Sequence, residues 1–441
     1  MKIQTAFMKM NIRKSWKGIL TWSFRILIGG LFIFSGFTKA VDPWGTLYKV
    51  NDYLTVMSLN LWPNLTLVGV FFLCGIEFLT GVFLLLGCFR KSIPIVAGLI
   101  MLFMLPLTLW IALSDPVADC GCFGDALIIS NWATFWKNIL ISAGVIWLIK
   151  YNRLQHWIIT PALQWICFVA SGFFIVIISL IGYLYQPLVD FRQYQVGERI
   201  YDVETSVSEL PSYEFVYEKN GERKVFQEND ELPSEDDGWI FIERIELPRN
   251  NVADSYKHEK NFRIWDKNGE EDETEEAILS EGKELIVMMP QLSLVSPATT
   301  WKLNSLYEWS LKNNVNMIGV VAGTKEEIAE WEDLSMASYA VYTADDTQIK
   351  EIVRGNPGIV YLEDGIIEWK STLAAINIDD FLSPDTSTDA KSFGFENYAI
   401  LRNIMGIYLI ILSVLIVLSF MPKLRNLYFR RSSEKNEVGK D

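Results

Sequence analysis

The chain has 441 residues, 50% of them hydrophobic, and a formal net charge of −14. That apolarity excludes intrinsic disorder and collagen-like repeats, and a pI of about 4.9 argues against nucleic-acid binding. The net charge conceals a split: residues 187–396 hold 44 acidic and 19 basic residues, net −25, whereas the remainder is net +11.

The basic block is strongly apolar. Runs at 18–37, 65–87, 94–113, 133–149, 158–186 and 398–420 approach or exceed the roughly 18–20 residues that cross a hydrocarbon core. Backbone groups in lipid must bond internally, so each run is predicted as a helix, with membrane lipid as a partner. The basic residues orient the spans. Lys2, Lys9, Arg13, Lys14 and Lys17, then Arg90 and Lys91, then Lys150 and Arg153, and finally Lys423 to Lys440 fall on one side. This predicts an inner-membrane protein with both termini in the cytoplasm and the acidic block in the periplasm. The first span is too long for a signal-peptide core and reads as an uncleaved anchor.

All five cysteines lie in the basic block. The loop between spans three and four reads Asp119-Cys120-Gly121-Cys122-Phe123-Gly124-Asp125. Two cysteines spaced C-x-C in an oxidising compartment form a candidate redox pair. The central glycine tolerates the contorted backbone that a ring between them needs. The alternatives are a structural turn with two shielded thiols, or a metal site completed by Asp119 and Asp125. Cys74 lies roughly 13 Å deep along span two, within reach of the pair if the loop dips into the bundle. Glu77 shares its face. A carboxylate at that depth marks a proton path, a ligand contact or a buried partner, with Arg25, Lys137 and Ser/Thr hydroxyls as the expected partners. Cys88 and Cys167 read as packing residues.

The sequence Phe34-Ser35-Gly36-Phe37-Thr38-Lys39-Ala40-Val41-Asp42-Pro43, Glu77 with Gly81 and Gly87, the Cys120–Cys122 loop, and Asn131 to Asn138 carry a resemblance. Together they resemble the DoxX-like family that includes the methylamine-utilisation protein MauE. The resemblance covers roughly residues 18–150, about a third of the chain, within a membrane domain placed at 1–157, and implies a four-helix membrane unit linked to periplasmic redox or disulfide maturation.

In the acidic block, residues 187–261 read as a β-rich segment with turns at Asn220-Gly221 and Asp237-Gly238. The runs Ser234–Asp237 and Glu270–Glu276 read as solvated acidic faces. Residues 262–395 alternate strand and helix: strands at 285–289, 315–321, 339–342, 359–362 and 366–369, helices at 297–313, 325–334, 347–354 and 377–382. This order resembles the thioredoxin fold of the TlpA-like class, with 262–269 as its leading hairpin and Pro357 at its cis-proline position. The place of the family's C-x-x-C is taken by Ser293-Leu294-Val295-Ser296, so the resemblance implies a domain without disulfide chemistry of its own. A plain α/β domain is the alternative.

The expected architecture is an α-helical membrane bundle, four helices plus two anchoring helices at 158–186 and 396–420, carrying an extracytoplasmic α/β thioredoxin-like domain and a basic tail at 421–441. The expected function is thiol-disulfide redox, with Cys120, Cys122, Cys74 and Glu77 as site residues. A periplasmic thiol protein would be the partner, and a quinone a further electron acceptor. The other reading is a non-catalytic scaffold whose cysteine-less domain holds a client protein. A transporter is disfavoured by the absence of an internal repeat.

Overall fold

The computed structural model describes residues 2–59, 62–115, 120–201, 213–219, 222–227, 240–246, 262–382, 394 and 397–438, with the side chains of 2–15, 63, 213–246, 380, 382 and 422–438 left out. Asp119, the two predicted turns at 220–221 and 237–238 and the acidic run 234–237 lie outside the described residues.

Among the described residues, six helices are long and apolar enough to cross a membrane: Trp16–Val41, Asn64–Leu86, Ile93–Ser114, Asn131–Lys150, Pro161–Leu184 and Asn397–Met421. This is a multi-pass membrane protein. The first span belongs to α1 (Lys2–Val41). The next element, α2 (Pro43–Val56), is a short helix that the sequence analysis leaves unassigned. Asp42 caps it by accepting a bond from the Gly45 amide at 3.0 Å, and Pro43 opens its first turn, where the missing N–H costs nothing. Then come α3 (Pro63–Leu86), α4 (Ile93–Ser114), α5 (Asn131–Lys150) and α6 (Gln164–Leu184). The fifth apolar run starts at Pro161 rather than 158, because Thr160, preceding a proline, is held extended.

Helices α1 and α3 cross at backbone contact. A Cβ on Gly36 would lie 2.4 Å from the Phe78 amide nitrogen, and one on Gly81 would lie 2.5 Å from that of Ile33. Small residues at such crossings let membrane helices gain van der Waals contact that larger ones would block. Arg25 does not meet Glu77. It lies about 20 Å from Lys39 along α1, and caps the far end of α3 by donating to the Leu84, Leu85 and His156 carbonyls at 3.0, 3.0 and 2.8 Å.

Strands β1 (Tyr213–Lys219), β2 (Glu222–Gln227) and β3 (Ile240–Glu246) form an antiparallel sheet in the order β2-β1-β3. A separate mixed sheet follows. It contains β4 (Lys283–Met289), β5 (Asn316–Val321), β6 (Ala340–Thr343), β7 (Gly358–Glu363) and β8 (Ile366–Thr372), in the order β6-β5-β4-β7-β8. Strands β4, β5 and β6 run parallel, and β7 and β8 antiparallel. The helices between them are α7 (Thr274–Ala277), α8 (Thr300–Lys312), α9 (Lys325–Ser335), α10 (Asp346–Ile352) and α11 (Ile378–Leu382). Central β4 is buried from Glu284 to Met289, as an apolar strand covered on both faces must be. The peptide before Pro357 is cis. The arrangement is consistent with the thioredoxin-like expectation. The leading segment folds back as a short hairpin: Trp265 bridges antiparallel to Asp272, the Asp266 amide donates to the Glu271 carbonyl and the Glu273 amide to the Ile264 carbonyl, both at 2.9 Å, and Trp265 also bridges to Thr343 at the end of β6.

The last helix, α12 (Asn397–Val438), returns to the bundle. Its Tyr408 hydroxyl meets Ser171 of α6 at 2.9 Å, and its ring stacks on Phe174 at 4.2 Å. Between bundle and sheet, Asp190 binds Arg192 at 2.7 Å and Lys370 of β8 at 2.5 Å.

Glu284 is a buried carboxyl on β4, held by Asn316 at 2.7 Å and by the Leu279 amide at 3.2 Å. Burial pushes it up to about 7 despite these bonds. A folded-state value above the unfolded one gives stability that is complete below the unfolded value and lost as pH rises through the folded one. The thermal midpoint of the sheet domain, followed in the intact protein, should therefore fall between about pH 5 and pH 8. Glu284→Gln should remove that part of the fall; a fall that survives unchanged contradicts the assignment.

Candidate thiol site

The site lies where α1 and α3 end near the sheet domain. Ser35 and Lys39 stand one turn apart on the same face of α1. Both turn toward Glu77 on α3. Lys39 Nζ donates to Glu77 Oε1 and Oε2 at 2.9 and 2.7 Å and to Ser35 Oγ at 3.0 Å. Both side chains of this ion pair are only 4% exposed. Of the partners expected for Glu77, the serine hydroxyl is present. Lys137 is instead 4.1 Å above the Phe123 ring, and the cation is Lys39. Its sequence signal is the i, i+4 spacing of Ser35 and Lys39 beside an intramembrane carboxylate.

The thiol loop does dip into the bundle. Ser35 Oγ lies 2.7 Å from Glu77 Oε2 and 2.7 Å from the Cys122 carbonyl oxygen. One hydroxyl proton thus faces two acceptors at equal distance, and it can swing between them without heavy-atom movement. Tyr53 of α2 donates to the Cys120 carbonyl at 2.7 Å, holding the other end of the pair. Gly121 has φ of +63°, the left-handed region, and a Cβ there would lie 3.3 Å from the Lys49 side chain. The loop's curvature therefore needs this glycine.

The sulfurs of Cys120 and Cys122 are 3.0 Å apart and not bonded. The hydrogen bond between the two thiols draws the Cys122 thiol below its ordinary value; Lys137 and Lys39 add to this against the effect of burial. The same hydrogen bond, with burial, raises Cys120. The two thiols are thus differentiated: Cys122 is the better thiolate, and thiolates are the nucleophiles. Asp125 is drawn away from the sulfurs to Arg354, at 2.9 Å. Among the described residues no group of three or more His, Cys, Asp or Glu is placed to hold a metal ion.

Cys74 does not join the pair. It is fully buried where α3 meets Gly36, and the sulfur contact of Cys120 and Cys122 is with each other. Cys88 and Cys167 lie in the same buried cluster, away from the pair. A cavity of about 40 Å³ adjoins the site, lined by Ser35, Glu77, Met101, Cys122, Lys137 and Asn138 among others. It has room for a water with several polar partners, and is far smaller than the ~150 Å³ that admits an aromatic ring.

Removing one partner of a buried ion pair strands the other charge. Lys39→Met should lower unfolding stability in detergent by roughly 3 kcal/mol. Adding Glu77→Met should restore most of it. A neutral Lys39→Met contradicts the pairing.

Residues 17–151 match the family model of the methylamine utilisation protein MauE, and residues 211–247 match a domain of unknown function, DUF8463. No curated protein matches the chain. The solved mitochondrial 2-cys peroxiredoxin from Plasmodium falciparum is similar over 29% of this chain and 93% of its own, at 14% identity. Its TM-score of 0.21 is too low to support an argument. The membrane unit, helices α1 to α5 with the thiol loop, is therefore similar to MauE.

Proposed function

We propose that this chain is a membrane thiol–disulfide exchange protein of the MauE type, acting on an extracytoplasmic thiol protein. The observation that carries the reading is the pair of unbonded thiols 3.0 Å apart, on a loop whose backbone is hydrogen-bonded to the Ser35–Glu77–Lys39 cluster. In the oxidising direction for this chain, the Cys122 thiolate attacks a disulfide of the partner. A mixed disulfide forms, and one partner sulfur leaves as a thiolate and takes a proton. Cys120 then gives up its proton and attacks the Cys122 sulfur. The Cys120–Cys122 bond forms, and the mixed disulfide breaks. The partner leaves as a dithiol, having taken two electrons from the pair; the reverse sequence oxidises a partner dithiol. An i, i+2 ring is strained, which favours exchange over storage.

A second reading is a non-catalytic scaffold that binds a client protein through the sheet domain. It is favoured by Leu294 and Trp301, which are 71% and 55% exposed beside the serine-bearing turn.

Trapping thiols in intact cells with an alkylating mass tag separates the two. The exchange reading expects a mixture of oxidised and reduced Cys120–Cys122, shifting to reduced after a reductant, with Cys74 unlabelled until denaturation. It also expects Cys120→Ser to accumulate a mixed disulfide on Cys122. A pair that stays fully reduced under oxidising growth contradicts exchange and leaves the scaffold reading.

A further inference from the structure

Where the sheet domain meets the membrane unit, a buried arginine of the sheet domain reaches the end of α1 and the thiol loop. Arg354 lies three residues ahead of cis Pro357, at the end of the sheet that also carries Ser293 and Ser296; Asn356 Nδ2 donates to the Gln291 carbonyl there at 2.6 Å. The Arg354 side chain is 4% exposed. Its Nε lies 3.0 and 2.9 Å from the two carboxylate oxygens of Asp42, and its Nη2 lies 2.6 Å from Asp42 Oδ2 and 2.9 Å from Asp125 Oδ2. Nη1 donates to the Lys350 carbonyl. The guanidinium is 5.5 Å from the Tyr48 ring centre. Gln186, at the exit of α6, brackets the same residue, accepting from its amide at 3.1 Å and donating to its carbonyl at 2.7 Å. Thr372 of β8 donates to the Leu184 carbonyl at 2.7 Å.

The receiving surface is shaped for the arginine. A Cβ at Gly45 would lie 2.6 Å from Asp42 Oδ2 and 2.9 Å from Arg354 Nη2, so the first turn of α2 is bare where the guanidinium enters. The bidentate contact uses the planar fork of arginine, which lysine lacks. Burial by itself would raise Asp42; Arg354 outweighs it and holds the carboxyl below its ordinary value.

Asp42 follows the helix that carries Ser35 and Lys39. Asp125 lies three residues after Cys122. One cation therefore ties the thiol loop to the end of α1 from above, while Ser35 ties it from below. We propose that the sheet domain acts in cis as the positioning element of the thiol loop, with Arg354 as the positioning residue that fixes Asp125, and hence Cys120 and Cys122, against α1. The domain then needs no cysteines, because the end of its sheet is committed to the chain's own thiol loop. This rests on the exchange reading for its consequence, though not for its geometry.

Full-length protein in lipid nanodiscs, as wild type, Arg354→Ala, Arg354→Lys and Asp125→Asn, provides the test. Arg263→Ala, which breaks an exposed pair with Asp272, is the control. Two quantities are read: the midpoint potential of Cys120–Cys122 in glutathione buffers, and the alkylation rate of the reduced pair. A freed loop brings the thiols together less often. Arg354→Ala should therefore disfavour the disulfide about threefold, a shift of roughly +14 mV, and raise alkylation at least about threefold. Arg354→Lys should recover part of both, and Asp125→Asn should move both while leaving the Asp42 contact in place. Arg354→Ala or, if that variant does not fold, Asp125→Asn matching wild type in both quantities overturns the proposal. If no disulfide forms at any potential, the exchange reading fails, and the alkylation rates alone decide the clamp.

Discussion

A carboxylate inside a helical bundle cannot be left to itself, and the site is organised around that constraint. Glu77 sits on α3 with 4% of its side chain exposed. Desolvating such a charge costs several kcal/mol unless a partner and further hydrogen bonds compensate. Lys39 supplies the charge and Ser35 the additional bond. For those two side chains to reach Glu77, α1 and α3 must approach at backbone distance, which Gly36 and Gly81 permit. The single Ser35 proton is shared between Glu77 and the Cys122 carbonyl, both at 2.7 Å, and this places the thiol loop against the end of the bundle. The chemistry of the loop is thus an extension of the electrostatics of the membrane unit.

The second constraint comes from the opposite side. Asp42 and Asp125 are two partly buried acids with one shared cation, and that cation belongs to the sheet domain. An isolated surface pair would contribute little. Here the guanidinium is desolvated and bidentate on Asp42, so its loss would leave two acids without their shared cation, while Gln186 would still hold the backbone of residue 354. The halves of the chain carry opposite net charge, and their meeting point uses that difference locally: the acidic block contributes the arginine, and the basic block contributes the aspartates.

Much of this architecture was legible in the sequence. The six spans follow from apolar length alone, and the strands and helices of 283–382 follow from the alternation of apolar runs with amphipathic segments. Cys120, Cys122 and Glu77 could be singled out because each residue type is costly or reactive where it stands. The partners were harder. Lys39 reads as an interfacial lysine at the end of a span, and only the crossing of α1 with α3 turns it inward. Helix α2 was overlooked because its 14 residues are too short and too mixed for a span, although Asp42-Pro43 is a helix-start signal. Arg354 carries no local signal: its two acids lie 312 and 229 residues away in sequence. Cys74 was grouped with the pair by depth along a helix, but depth does not fix the direction in which a side chain points.

The central claim is that the buried cluster and the thiol loop form one electrostatic unit, in which Cys122 is the activated thiol. The most direct measurement is the pH profile of Cys122 alkylation in the reduced, folded protein, compared with Lys137→Met. The account predicts a wild-type midpoint below the ordinary cysteine value of about 8.5, moving upward in Lys137→Met as a nearby cation is lost. A midpoint at or above that value, unchanged by Lys137→Met, would contradict it.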